Sequence, residues 1–175
     1  SKQRAVCGAS VHLADASDIE GLRRQEEKIE TEYREVAGRL SGTRRAAALE
    51  LGQAVTRAMQ ELSMTGGSFE IALNACEPAA HGLEQVEFLV AGHAGTAPKP
   101  LAKVASGGEL ARIALAISVI TSNSTTTPTL IFDEVDSGIG GGVAEVVGRL
   151  LKRLGSGHQV LCVTHLPQVA SQANQ

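Results

Sequence analysis

Thr129-Leu130-Ile131-Phe132-Asp133-Glu134 and, further along, Gln159-Val160-Leu161-Cys162-Val163-Thr164-His165 decide the fold. Each is a short apolar run that ends in polar side chains capable of chemistry. Between them, Val143 to Leu154 has the spacing of an amphipathic helix. Two short apolar strands joined through one helix make a βαβ unit of a buried parallel sheet. Strands of such a unit run the same way. Asp133, Glu134 and His165 should therefore emerge at one carboxyl edge, where α/β proteins place ligands.

Asp133-Glu134 can be read in two ways. Two adjacent acids just past a strand can be solvated loop residues. At a ligand edge, the first suits Mg²⁺, which keeps its waters and needs only one or two carboxylates. The second is then placed to orient or deprotonate a water. His165 alone would more often be structural, and its proximity to the acids is what makes it a candidate. A third place lies upstream, where Ser106-Gly107-Gly108-Glu109 precedes the strongly apolar helix Leu110 to Thr121. Ser106 as N-cap and Glu109 three residues on form a capping box. The same geometry leaves backbone N–H groups uncovered at a helix N-terminus, which describes a phosphate contact.

Further toward the N-terminus, Thr65-Gly66-Gly67 breaks a helix. Phe69, Ile71 and Leu73 then alternate with Glu70, Ala72 and Asn74 as a strand with one wet face. A loop holding Pro78 and Gly82 leads to a second strand, Gln85 to Val90. Gly92 to Pro100 reads as loop, because Pro98 and Pro100 exclude regular structure. From Asp18, with Ser17 or Asp18 as N-cap, the positions Ile19, Leu22, Glu26, Ile29, Tyr33, Val36 and Leu40 follow the 3-4 spacing of a coiled-coil seam. The phase slips at Ser41-Gly42-Thr43, and Leu51, Val55, Ala58 and Leu62 continue a stripe. A helical hairpin on a core fits this pattern as well as a coiled-coil arm does. Residues 1–17 give no clear signal. The organisation expected is an arm with connecting helix over 1–64 and an α/β lobe over 65–175.

Composition narrows the function classes. Of the 175 residues 43% are hydrophobic, so a packed core is affordable, but only 2% are aromatic. Base stacking on aromatic platforms is thus hard to staff. The net charge of −3 does not announce a domain that neutralises many phosphates. Cys7, Cys76 and Cys162 have no C-x-x-C spacing, which fits a reducing cytoplasm rather than a disulfide or zinc framework. No apolar stretch approaches the roughly 20 residues of a membrane span. Gly138-Ile139-Gly140-Gly141-Gly142-Val143 misses the dinucleotide fingerprint at Val143, and Gly-Lys, which a P-loop needs, occurs nowhere. His12, His81, His93 and His158 read as solvated loop residues. The pairs Arg23-Arg24, Arg44-Arg45 and Lys152-Arg153 read as solvated surface. With no initiator Met and no terminating signal, the chain reads as a fragment.

Val104-Ala105-Ser106-Gly107-Gly108-Glu109-Leu110-Ala111-Arg112 resembles the signature motif of ABC-type ATPase heads, in the form used by SMC-like chromosome-maintenance proteins. Leu130 to Glu134 resembles their Walker B strand, Val135 to Gly141 their D-loop, and Thr164 to Ala170 their switch histidine. The wording of the last two, with Leu62-Ser63-Met64, is similar to the branch that serves recombinational repair of DNA double-strand breaks in bacteria. The resemblance runs from about Glu32 to the end and is most specific over 101–170. Residues 1–30 match only in kind, as coiled-coil arm.

That resemblance implies an α/β fold: the C-terminal half of an ABC-type head, with parallel βαβ and antiparallel strands on a coiled-coil stub. It implies ATP and Mg²⁺ as ligands. Ser106, Gly107 and Gly108, with Glu109, would bind the γ-phosphate of ATP held by a second head, in trans. Asp133 would hold Mg²⁺ through water, Glu134 would orient the attacking water, Asp136 would reach across the head dimer, and His165 would sense the γ-phosphate. The implied partners are the Walker A half of the same head, a second head, and DNA through the full-length protein, in the cytoplasm at the nucleoid. Walker A and the glutamine-bearing loop precede the coiled coil in this family and are not in this chain. The implied sheet then has an unpaired edge, and the chain alone should be inactive. The alternatives are the head of another SMC-like ATPase, or a non-enzymatic coiled-coil interaction module.

Overall fold

A computed structural model of the chain describes residues 2–104, 106–124 and 127–174, with side chains from residue 18 onward except that of 123. The side chains of Cys7 and His12, all of Ala105 and part of the polar loop 122–127 thus lie outside what is described. Two compact units arise, one of residues 1–44 with 76–84, the other of 45–75 with 85–175.

A single helix, α1 (Lys2–Glu61), replaces both the N-cap at Ser17 or Asp18 and the helical hairpin. Gly42 costs about 1 kcal/mol in a helix interior, which the flanking strong helix formers outweigh. In the first unit Ala37 and Ser41 are buried. The Tyr33 hydroxyl accepts from the Ala79 N–H at 3.0 Å and donates to the Ala79 carbonyl at 2.9 Å. Arg44 faces Glu84 at 3.8 Å, so it is not the solvated surface residue its sequence context suggests. The seam positions Ile19, Leu22, Ile29, Val36 and Leu40 are exposed.

The second unit contains the core. Val55 and Met59 from the end of α1 and Leu62 just past it are fully buried with Met64, Ile113, Leu115, Val135 and Val147. The helix stops in a Schellman arrangement. Ser63 takes a left-handed φ of 66°, the Met64 N–H reaches the Met59 carbonyl at 3.1 Å, and both methionines are buried together. A serine bears a Cβ penalty in that conformation that glycine avoids. Ser63→Gly is therefore expected to stabilise the fold by about 1 kcal/mol, read as a raised urea midpoint at constant m. Beyond the turn, Thr56 bonds the backbone of Phe69, and the Gln60 amide brackets Gly66 and Gly67.

A three-stranded sheet follows, in the order β1-β2-β3. β1 (Ser68–Ala79) and β2 (Gly82–Ala91) are joined by two residues, a link that only antiparallel strands permit. The expected loop at Pro78 and Gly82 is thus a continuation of both strands, with Gly82 at φ 107°. β3 (Lys99–Pro100) pairs antiparallel with Leu89 and Val90, where a loop was expected. Proline is tolerated there because an edge strand need not donate on its outer side.

The apolar helix is α2 (Gly107–Thr121), capped by Ser106. β4 (Thr129–Phe132), α3 (Gly141–Leu154) and β5 (Gln159–Cys162) form the βαβ unit, with β4 and β5 parallel and Phe132 opposite Cys162. Lys152 and Arg153 sit in the last turn of α3, where cations suit the helix dipole. α4 (Pro167–Ala170) is one short turn. Neither strand of the pair is buried on both faces, as their apolar runs suggested. Phe132 packs inward, whereas Ile131 is 70% exposed and its partner Leu161 50%.

Candidate functional site

Each candidate side chain stands at the end of an element whose sequence explains its position. Leu130 and Phe132 anchor β4 on the core, so the chain leaves the sheet at Asp133. The Asp133 carboxylate accepts the Glu134 N–H at 2.9 Å, and both side chains are exposed. Glu134 has a left-handed φ of 60°, an uncommon conformation for a residue with a long side chain. The fully buried Val135 pins the turn from below, and the Ser137 N–H closes it onto the Glu134 carbonyl at 3.0 Å.

Ser106 caps α2 by accepting the Glu109 N–H at 3.3 Å. Glu109 lies 3.5 Å from His93, whose side chain stays largely exposed, as its loop position suggested. Gly107 lies directly against the Glu134 carboxylate, which occupies the place a Cβ there would take. Gly108 is buried, and a Cβ on it would stand 3.0 Å from that of Ser137. Glycine at both positions lets the start of α2 close onto the turn after β4. The structure thus brings the Ser-Gly-Gly segment and Glu134 together within one chain.

Arg112, which sequence reasoning passed over, fastens this junction. It is 7% exposed and donates to the Ser137 carbonyl at 2.8 Å. Burial draws the guanidinium pKa below its ordinary value, and the Glu109 charge offsets part of that. The available signal was a lone cation inside an apolar helix, where a charge needs a partner.

His165 is exposed after β5, at the same end of the parallel pair as Asp133 and Glu134, as the βαβ reading required. Within the chain, Asp136 is turned toward the end of β5. Only 7% exposed, its carboxylate accepts from the Thr164 hydroxyl at 2.5 Å, the His165 N–H at 2.8 Å and the Leu166 N–H at 3.3 Å. Burial raises its pKa, but these donors together outweigh it and hold the carboxyl below its ordinary value. Folding therefore gains from Asp136 fully above about pH 4, and the gain fades as pH falls through the lowered pKa. Burial and the Asp136 and Asp133 charges push the Cys162 thiol up. Cys76 and Cys162 are both free thiols.

No group of three or more metal-ligating side chains forms among the described residues. Asp133 fits the other mode of holding Mg²⁺, one carboxylate acting with waters and substrate oxygens. No helix of the described residues is long and apolar enough to cross a membrane.

No protein-family model matches the chain. The DNA repair protein RecN of Xylella fastidiosa is 44% identical over 172 residues, covering 91% of this chain and 31% of the relative. That of Haemophilus influenzae is 47% identical over 161 residues, covering 90% and 29%. The chain is RecN-like. The RecN of Vibrio cholerae is 51% identical over 138 residues, or 77% of the RecN-like chain and 24% of the relative. This chain spans about three-tenths of the length of the curated RecN proteins it matches first.

The fold agrees with that relation. The Smc head domain with coiled coil and joint from Pyrococcus yayanosii superposes with a TM-score of 0.61 at 24% identity. It covers 90% of the RecN-like chain and 30% of the other. The Smc head from Pyrococcus furiosus, bound to the C-terminal domain of ScpA, gives 0.55 at 24% identity, covering 75% and 31%. The fold is that of the matching part of an SMC-type head with coiled coil.

Proposed function

We propose that the chain is the signature and Walker B portion of an ATPase head acting in bacterial recombinational repair of DNA breaks. The observation that carries the reading is the shared end of β4 and β5. It presents the exposed Asp133, Glu134 and His165 at one end of the parallel pair. The RecN relation supports the repair role, and the cytoplasm as its place. A longer protein carrying this segment would supply the phosphate cradle and contact DNA.

In this reading Asp133 would hold Mg²⁺, which when bound would offset charge on the phosphate oxygens. Glu134 orients the attacking water and accepts its proton. His165 meets the γ-phosphate from the neighbouring strand end. Ser106 and the N–H groups at the start of α2 contact the γ-phosphate of ATP held by a second head. Positioning and electrostatics of this kind supply most of the catalysis in phosphoryl transfer.

Two titrations test it. The full-length protein should bind Mg-ATP and turn it over, while the chain alone should show no binding by calorimetry, because a bare helix N-terminus is a modest anion site. Micromolar binding to the chain alone would put the nucleotide elsewhere. A full-length protein without turnover would remove the enzymatic reading in favour of an interaction module.

A further inference from the structure

We infer that Asp136 is a positioning residue of the nucleotide site, its buried carboxylate holding the Thr164–Leu166 turn, and so the His165 backbone, at the end of β4. What His165 does rests on the function proposed above; where it is held does not.

Leu166 rests against the core and its carbonyl accepts the Val169 and Ala170 N–H groups at 3.1 Å each, while the amides on its N-terminal side turn to Asp136. The Val163 N–H to the Phe132 carbonyl, 3.0 Å, carries the parallel ladder just past β5. Beyond it the chain leaves the sheet. α4 has only four residues, begins with a proline that lacks an N–H, and has Leu166 as an N-cap without a side-chain hydrogen bond. One Asp136 oxygen supplies what the local sequence does not. It gathers the Thr164 hydroxyl and the His165 and Leu166 amides, and the Leu166 N–H also meets the Thr164 hydroxyl at 3.2 Å. Hydrogen bonds to an ionised acceptor are roughly twice as strong as neutral ones, so a carboxylate suits the task better than an amide. Asp136 follows Glu134 by one buried residue, Val135. The same short turn therefore sets both the water-orienting acid and the histidine.

Asp136→Ala and Asp136→Asn in the full-length protein, each with and without His165→Ala, test this by two readouts. In Asp136→Ala, hydrogen exchange of the peptide over 163–166 should lose protection while the rest of β4 and β5 keeps theirs. Turnover should fall by about 10–100-fold, as a misplacement of about 1 Å can cost. The KM for ATP should stay within about twofold, since a positioning loss falls on kcat. Asp136→Asn should lie between wild type and Asp136→Ala. Adding Asp136→Ala to His165→Ala should lower turnover no further, because residues acting through one group are non-additive. Unchanged protection at 163–166, or losses that add in the double variant, would overturn the inference. Lost protection with wild-type turnover in His165→Ala would uphold the positioning and sink the proposed role of His165. Should Asp136→Ala fail to fold, Asp136→Asn and Thr164→Val provide the same comparison.

Discussion

Glu134→Gln in the full-length protein is expected to lower ATP turnover by about 10²–10⁴-fold, the usual worth of general-base or water-positioning catalysis. The substitution preserves length and hydrogen-bond reach and removes only charge and basicity. Glu134 sits exposed at the end of β4 with a left-handed backbone, and the buried Val135 holds its turn. Glutamine should thus occupy the same place without refolding the loop. Nucleotide affinity should hold or rise, because Asp133 still serves the cation and one negative charge near the γ-phosphate is gone. Trapped ATP would then keep two heads together, seen on sizing columns as a dimer that needs Mg-ATP. Asp133→Asn should instead weaken Mg²⁺-dependent binding itself. Identical behaviour of the two variants would show that these neighbouring acids do not divide the work as assigned.

Ser106→Arg should abolish hydrolysis while one head still binds ATP with nearly unchanged affinity. Ser106 is exposed at the N-cap of α2, so a long cation there projects outward from the motif rather than into the core. It would hold a second head away from its nucleotide. The loss of the cap alone costs about 0.5–2 kcal/mol of stability, and Ser106→Ala measures that cost without the bulk. Turnover should therefore survive far better in the alanine variant than in the arginine one. Equal loss of binding and turnover in Ser106→Arg would place Ser106 beside nucleotide bound by its own head.

Much of the site was legible because it depends on strand direction, which two apolar runs and one helical period determine. Asp133, Glu134 and His165 could be placed at one edge before any contact was known. The role of Asp136 could not. It is an acid among acids, and only the packing that buries Val135 and turns the next carboxylate toward Thr164 separates it from Glu134. Arg112 escaped for the same reason: its partner, the Ser137 carbonyl, is a backbone group that no residue pattern announces. In the fold, Pro78 and Pro100 were read as breakers, yet both lie in strands, Pro100 in the short edge strand β3. The length of α1 was hidden by Gly42 and by a seam whose phase shifts, since neither interrupts helical hydrogen bonding even where the buried face changes.

The clamp between Tyr33 and Ala79 gives the molecule a built-in optical probe. The chain has one tyrosine and no tryptophan. Its ultraviolet emission therefore comes essentially from Tyr33, whose hydroxyl is engaged twice by the backbone of Ala79. Emission intensity and lifetime should follow the attachment of the hairpin tip to the arm helix. They should be blind to events at Glu134 or His165 unless those events loosen the tip. Any nucleotide-dependent change in that emission would be a direct signal that the contact between Tyr33 and Ala79 responds to the nucleotide.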